Sequence, residues 1–145
     1  MNAQNKLPSR LHHNAYVVKD LERTRQFYED LLGLPLTATW CEKTELFGKE
    51  RVYCHCFFSI ADEGALAFFQ FATEEDAAEF GPELPMSGFR HIALKVEQDL
   101  QDEMVQRLKS SDYPEDKYYF LEHGYCHSLY MIDPDGLIVE FCTDH

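Results

Sequence analysis

Positive charge is scarce in this chain. Lys and Arg total 13 against 26 Asp and Glu, a formal net charge of −13. Nucleic acid and anionic membrane surfaces would both repel it, so neither is expected as a partner. No apolar run is long enough to span a bilayer. The opening Met-Asn-Ala-Gln-Asn-Lys-Leu-Pro lacks the apolar segment of a signal peptide. The five cysteines (Cys41, Cys54, Cys56, Cys126 and Cys142) are odd in number and contain no Cys-x-x-Cys. Reduced thiols in a cytoplasmic protein are therefore expected, rather than a disulfide framework. Cys54 and Cys56 share one face of an expected strand.

What the chain does have is apolar mass and imidazole. Hydrophobic residues make up 45%, with eleven Phe and eight Tyr, enough for a sizeable core in one domain or in two small modules. Seven His are present, and neutral imidazole is the commonest metal ligand.

The stretch from His127 to Phe141 reads as strand, turn, strand, because Asp133-Pro134-Asp135-Gly136 is a strong turn signal. Glu140 stands inside Leu-Ile-Val-Glu-Phe. Burying that carboxylate unpaired would cost several kcal/mol, roughly, so a cationic partner or a metal is expected beside it.

Read in order, residues 1–10 are a tail. Leu11 to Val18 is a strand. Asp20 caps a helix with an apolar stripe of Leu21, Phe27, Tyr28, Leu31 and Leu32, ended by Gly33 and Pro35. Leu36 to Cys41 is a short strand, and the charged Glu42 to Glu50 a hairpin loop. Arg51 to Ile60 and Ala65 to Ala72 are two more strands. Thr73 with Asp76 suggests a capping box on a short acidic helix, and residues 74–88, with Gly81, Pro82, Pro85 and Gly88, read as the connection. The second half repeats the plan. Phe89 to Val96 is a strand, and Gln98 to Lys109 a helix with Leu100, Met104, Val105 and Leu108 on one side. Lys117 to Glu122 and the final hairpin complete it.

The repeat is visible in residues. His13, Ala15 and Val18 match His91, Ala93 and Val96, and Phe69-Gln70-Phe71 matches Val139-Glu140-Phe141. One supersecondary unit used twice gives two modules, 11–73 and 89–145. In a strand, residues i and i+2 share a face. His13 then lies with Ala15, His91 with Ala93, and Glu140 with Ile138 and Cys142, while Gln70 opposes Phe69 and Phe71. The expectation is that His13, Gln70, His91 and Glu140 all point away from the helices, and converge if a pseudo-two-fold axis relates the modules. Two His and one carboxylate with open positions form the facial triad suited to non-haem Fe(II).

Four segments carry a family resemblance: His13-Asn14-Ala15-Tyr16-Val17-Val18-Lys19-Asp20-Leu21, Phe27-Tyr28-Glu29-Asp30-Leu31-Leu32-Gly33-Leu34, Gly88-Phe89-Arg90-His91-Ile92-Ala93-Leu94, and Ser128-Leu129-Tyr130 through Asp133-Pro134-Asp135-Gly136 to Glu140. Together they resemble the vicinal oxygen chelate superfamily, which holds glyoxalase I, fosfomycin and bleomycin resistance proteins and extradiol dioxygenases. The resemblance covers nearly the whole chain. It implies an α+β fold, two βαβββ modules forming a cupped mixed sheet around a divalent metal. It also implies metal ligands at His13, His91 and Glu140, with Gln70 as a weak fourth. Glyoxalase I carries Glu where this chain has Gln70, whereas extradiol dioxygenases use His, His, Glu. The reading is therefore an Fe(II)-dependent extradiol-type dioxygenase acting with O2 on a small catechol-like diol. Mn, Ni and Zn are the alternative metals. His127, and secondarily Tyr130, are the acid/base candidates; by alternation they face opposite sides of their strand. The alternatives are a glyoxalase- or epimerase-like lyase or isomerase, and a metal-free resistance-type protein that sequesters a ligand. A homodimer is expected from the resemblance. His12, His55, His123 and His145 read as packing or surface residues, and Phe68 as core or pocket wall.

Overall fold

The computed structural model describes residues 6–81 and 87–145, which form two compact units, each built on a four-stranded mixed sheet. Residues 1–5 of the expected tail, and Pro82 and Pro85 of the expected connection, lie outside the described residues. Among the described residues no helix is long and apolar enough to cross a membrane.

The first unit carries β1 (His13–Val17), α1 (Leu21–Arg25), β2 (Leu36–Leu46), β3 (Lys49–Ser59), β4 (Ala65–Phe71) and α2 (Glu74–Phe80). Its sheet runs β1-β4-β3-β2, with β1 and β4 parallel and the other neighbours antiparallel. Asp20 starts α1 as expected: its carboxylate accepts from the backbone N–H of Glu22 (2.9 Å) and Arg23 (3.4 Å). The helix widens into a π-turn over Gln26–Leu31, and the backbone reaches a left-handed φ of 80° at Gly33. Tyr28 is fully buried, its ring 4.7 Å from Phe68 and 5.8 Å from Phe58 between centroids. Phe68 is thus core and not a pocket wall.

The expected loop at Glu42 to Glu50 is instead the body of a long hairpin. β2 and β3 pair without a break from Ala38–Phe57 to Leu46–Lys49, leaving only Phe47-Gly48 as the turn. Both turn residues have positive φ, 53° and 89°, which matches the right-handed twist of the strands they join. Two of the charged residues find partners on the opposite strand: Lys43 lies 3.5 Å from Glu50, and Glu42 accepts from Tyr53 OH at 2.9 Å.

The expected cap of α2 is present, with Thr73 Oγ1 accepting from Asp76 N at 3.1 Å. The Asp76 side chain, however, turns to Arg51. That guanidinium is 2% exposed and bonds Asp76, Glu79 (2.9 Å) and the carbonyls of Leu46 (3.0 Å) and Phe47 (3.2 Å). The hydrogen bond from Arg51 holds the Asp76 carboxyl below its ordinary value of 3.8. A depressed folded-state pKa gives stability that is complete above the unfolded value and is lost as pH falls through the folded one. Denaturant titrations at pH 6, 4 and 3 should therefore show a steeper acid loss in the parent than in Asp76→Asn. Equal slopes would remove this assignment.

The second unit carries β5 (His91–Lys95), α3 (Gln98–Ser110), β6 (Tyr118–Glu122), β7 (Cys126–Ile132) and β8 (Ile138–Asp144), and takes in Asp30–Gly33. Its sheet repeats the first topology as β5-β8-β7-β6, again with one parallel pair, β5 and β8. Met104 and Leu108 of α3 are buried, as are Leu129, Met131, Val139 and Phe141 of the sheet. The helix face is rotated from the expected one. Leu100 is 37% exposed, and Gln101, 1% exposed, takes the inward place. Its Nε2 donates to the carbonyls of Phe141 (2.9 Å) and His127 (3.2 Å), so buried backbone acceptors claim an amide where a hydrophobic pattern assigns Leu. The β7–β8 turn is as expected: Asp133 Oδ1 accepts from Asp135 N and Leu137 N, both at 2.9 Å.

Arg107 Nη1 donates to Leu32 O at 3.1 Å, and a Cβ added at Gly33 would meet that same Nη1 at 2.7 Å. Gly33→Ala should destabilise by about 1–2 kcal/mol, chiefly through its left-handed backbone. A denaturation midpoint within error of the parent would refute this.

Candidate functional site

Glu140 lies on β8 with its neighbours fixed by the ladders on either side. β5 sets Ala93 opposite Glu140 and His91 opposite Ile138, and β7 sets Tyr130 opposite Glu140 and Ser128 opposite Cys142. His91, Glu140, Tyr130 and Ser128 therefore share one face. Ile92, Val139, Phe141, Leu129 and Met131 take the other, apolar face. The carboxylate is 6% exposed and both its oxygens are engaged. Oε1 stands 2.9 Å from His91 Nε2, and Oε2 accepts from Ser128 Oγ at 2.6 Å.

The second nitrogen of His91 is also fixed, with Nδ1 2.8 Å from Phe89 O. A carbonyl only accepts, so Nδ1 carries its proton there. Nε2 and Oε1 consequently face each other across either a proton or a cation. A backbone carbonyl behind Nδ1 and a hydroxyl behind the carboxylate are the supports that orient metal-binding His and Glu side chains. The donor pair therefore fits a divalent metal. Among the described residues no group of three or more His, Cys, Asp or Glu side chains is arranged to hold one.

Tyr130 is 8% exposed, and its hydroxyl is 2.8 Å from His123 Nε2. Burial, and then the adjacent Glu140 charge, push the phenol up to about 12. It is thus a proton donor fixed beside the carboxylate. Tyr119 of β6 stacks on it, 5.0 Å between centroids. Of the two acid/base candidates, this one lies on the face of Glu140. His127 lies on the opposite face, paired with Thr143 and Glu122, its Nδ1 3.5 Å from Glu122. The alternation along β7 already separates the two residues, and the register with Glu140 decides between them. Ser128 and His123 were not anticipated. Ser128 is legible in hindsight as i−2 from Tyr130. His123 carries no signal, since a loop residue reaches the phenol only through the turn between β6 and β7.

In the first unit His13 lies on β1 with Ala15 and Val17, exposed, its Nδ1 2.8 Å from His12 Nδ1 and its ring edge-on to Phe57. Gln70 does not point away from the helices. Its Oε1 accepts from Leu21 N at 2.8 Å, at the start of α1, on the face that carries Phe68. The match of Gln70 to Glu140 was three residues out of register. Ala15 pairs with Ala67 across β1–β4 as Ala93 pairs with Glu140 across β5–β8, so Ala67 holds the place of Glu140. An odd slip moves a side chain to the other face of the sheet.

The same unit holds a cavity of about 340 Å³ walled by Val17, Leu46, Phe47, Phe69, Phe71 and Phe80, with Arg51 and Tyr53 as its polar atoms. Beside it Glu42 accepts from Trp40 Nε1 (2.6 Å) and Tyr53 OH (2.9 Å), and lies 3.4 Å from His55 Nε2. The Trp40 hydrogen bond, then that of Tyr53, holds the Glu42 carboxyl below the usual range. His55 is buried, stacked on Phe69 at 4.9 Å, and its Nδ1 has no hydrogen-bond partner among the described residues.

Solved structures with this fold include a glyoxylase/bleomycin resistance protein/dioxygenase domain from Frankia sp. EAN1pec. It has a TM-score of 0.69 and 14% identity, covering 96% of this chain and 100% of that one. The fosfomycin resistance protein FosX from Mesorhizobium loti is similar at a TM-score of 0.60 and 21% identity, covering 93% of this chain and 91% of that one. Lactoylglutathione lyase from Agrobacterium tumefaciens is similar at 0.59 and 24% identity, covering 94% of each. Residues 10–141 match the model of one family, and with the repeated βαβββ topology this places the chain in the Glyoxalase/Bleomycin resistance protein/Dioxygenase superfamily.

Proposed function

We propose that this protein is a metal-dependent enzyme of the superfamily, an extradiol-type dioxygenase that uses Fe(II) and O2 to open a small catechol-like ring. The carrying observation is the pair His91 Nε2 and Glu140 Oε1, 2.9 Å apart, with Phe89 O and Ser128 Oγ fixing the far atom of each. His13, which holds on β1 the place that His91 holds on β5, is the proposed third ligand. Ala67 has no donor atom and Gln70 is occupied at α1, so neither is proposed as a fourth. Three ligands leave positions open, the arrangement that suits non-haem Fe(II). The cation would serve as a Lewis acid and template for chelating substrate oxygens. Tyr130 is the proposed proton donor to the substrate, held ready by His123.

A second reading is a lyase, isomerase or related enzyme using another divalent metal. It is favoured by the likeness to lactoylglutathione lyase and to FosX, whose Listeria monocytogenes form has been crystallised with Mn(II). Metal analysis of protein purified without chelator, with oxygen uptake on catechols, separates the readings. Iron with oxygen uptake supports the first. Another metal without uptake supports the second. No metal removes both and leaves a ligand-binding protein. Ser128→Ala should weaken metal affinity about 10–100-fold without unfolding the protein, measured by competition with a chelating dye. Unchanged affinity would show that Ser128 does not orient Glu140 for a metal.

A further inference from the structure

The strand register places two thiols face to face. Cys41 of β2 pairs directly with Cys54 of β3. The kind of pair follows from the turn. Leu46 and Lys49 close the two-residue turn Phe47-Gly48 and so exchange hydrogen bonds, and hydrogen-bonded and open pairs alternate from there along an antiparallel ladder. Glu45–Glu50, Lys43–Val52 and Cys41–Cys54 fall at the open positions. At such positions the Cα atoms are about 4.5 Å apart, the closest approach a sheet offers. A disulfide spans Cα separations of about 4.4–6.8 Å, so this pair can close with little backbone movement.

We infer that Cys41 and Cys54 form an oxidation site, closing a cross-strand disulfide when a hydroperoxide reaches the reduced protein. Cys41 is exposed and Cys54 half-buried, so oxidant meets Cys41 first. Its thiolate attacks one peroxide oxygen, the O–O bond breaks, and the product is a Cys41 sulfenic acid and an alcohol, or water from hydrogen peroxide. The Cys54 sulfur then attacks Cys41 Sγ. The S–S bond forms, the S–O bond breaks, and hydroxide leaves and takes up the Cys54 proton as water. Two thiols are oxidised by two electrons and one peroxide is reduced. The hydrogen bond with Cys41, and then burial, raise the Cys54 thiol above its ordinary value. That suits it to be the resolving partner, held in contact, rather than the first to react. The remaining three cysteines lack such a partner in register: Cys56 faces Thr39 and Phe68, Cys126 faces Asp144, and Cys142 faces Lys95 and Ser128.

The consequence falls on the first unit. Trp40 and Glu42 flank Cys41, and His55 and Tyr53 flank Cys54, so the crosslink clamps both cross-strand pairs that build the Glu42 network. The experiment treats the fully reduced chain with stoichiometric hydrogen peroxide, blocks free thiols, and maps peptides by mass. The expected result is one intramolecular link joining the Cys41 and Cys54 peptides, reversed by dithiothreitol. The oxidised form should melt about 5 °C higher than the reduced form, because a closed loop restricts the unfolded chain. Cys41→Ser and Cys54→Ser should each abolish the link, whereas Cys142→Ser should not. Overoxidation of Cys41 with Cys54 still free, or a link between two chains in place of one within a chain, would overturn the assignment.

Discussion

Glu140→Gln, purified without chelator, is expected to retain less than about one tenth of the parent's bound metal and to show no turnover above background. The amide keeps the size of the side chain and a hydrogen bond with Ser128, but it removes the charge that the proposed divalent ion would need opposite His91 Nε2. Stability should move the other way. A carboxylate 6% exposed, held by the Ser128 hydroxyl and the His91 imidazole and not by a Lys or Arg, is costly to bury. The metal-free variant should therefore melt at or above the temperature of metal-free parent, as often happens when a functional group is neutralised. His91→Ala should lose metal to the same degree, and His13→Ala tests whether the third ligand comes from β1. A Glu140→Gln protein with full metal content would end the site assignment. One that binds metal weakly but also fails to fold would instead show the carboxylate to be structural.

Arg51→Ala is expected to lower the melting temperature by about 10 °C, the largest effect of any polar substitution in the first unit. One guanidinium joins the β2–β3 turn, through the carbonyls of Leu46 and Phe47, to α2, through Asp76 and Glu79. It also lies 4.9 Å over the ring of Phe80. Truncation leaves Asp76, 3% exposed, without its main partner and takes one donor from each of the carbonyls of Leu46 and Phe47. Arg51→Lys should recover only part of the loss, because an ammonium cannot serve both carbonyls and both carboxylates at once. The aromatic cavity shares Arg51, Phe47 and Phe80 with this joint. Differential scanning calorimetry of the two variants decides the matter, and equal melting of parent and Arg51→Ala would mean that the joint is dispensable.

Much of the architecture was legible from periodicity and punctuation. Asp20, Gly33, Thr73 and the Asp133–Gly136 turn each end or begin an element where their chemistry requires it. The duplicated His-x-Ala announced the repeated module, and Glu140 announced itself as a carboxylate in an apolar strand. Two errors have one source. The length of β2 was hidden because Glu42 and Lys43 find their partners, Tyr53 and Glu50, on the opposite strand, and sequence does not reveal a cross-strand partner. Gln70 was matched to Glu140 by its flanking Phe, although the ladder sets Ala67 there.

By itself, the order of residues determined the βαβββ repeat, the caps and turns, and the carboxylate that needs a partner in an apolar strand, since local geometry and burial cost act within a few positions. Only the tertiary structure decided which face each side chain takes and which atoms meet. A shift of one residue in pairing reverses a strand's faces, and pairing is set by partners remote in the chain. That is why Tyr130 and Ser128 stand beside Glu140, while His127, as polar and about as near in sequence, and Gln70, whose flanking Phe suggested the same place in the first unit, turn the other way.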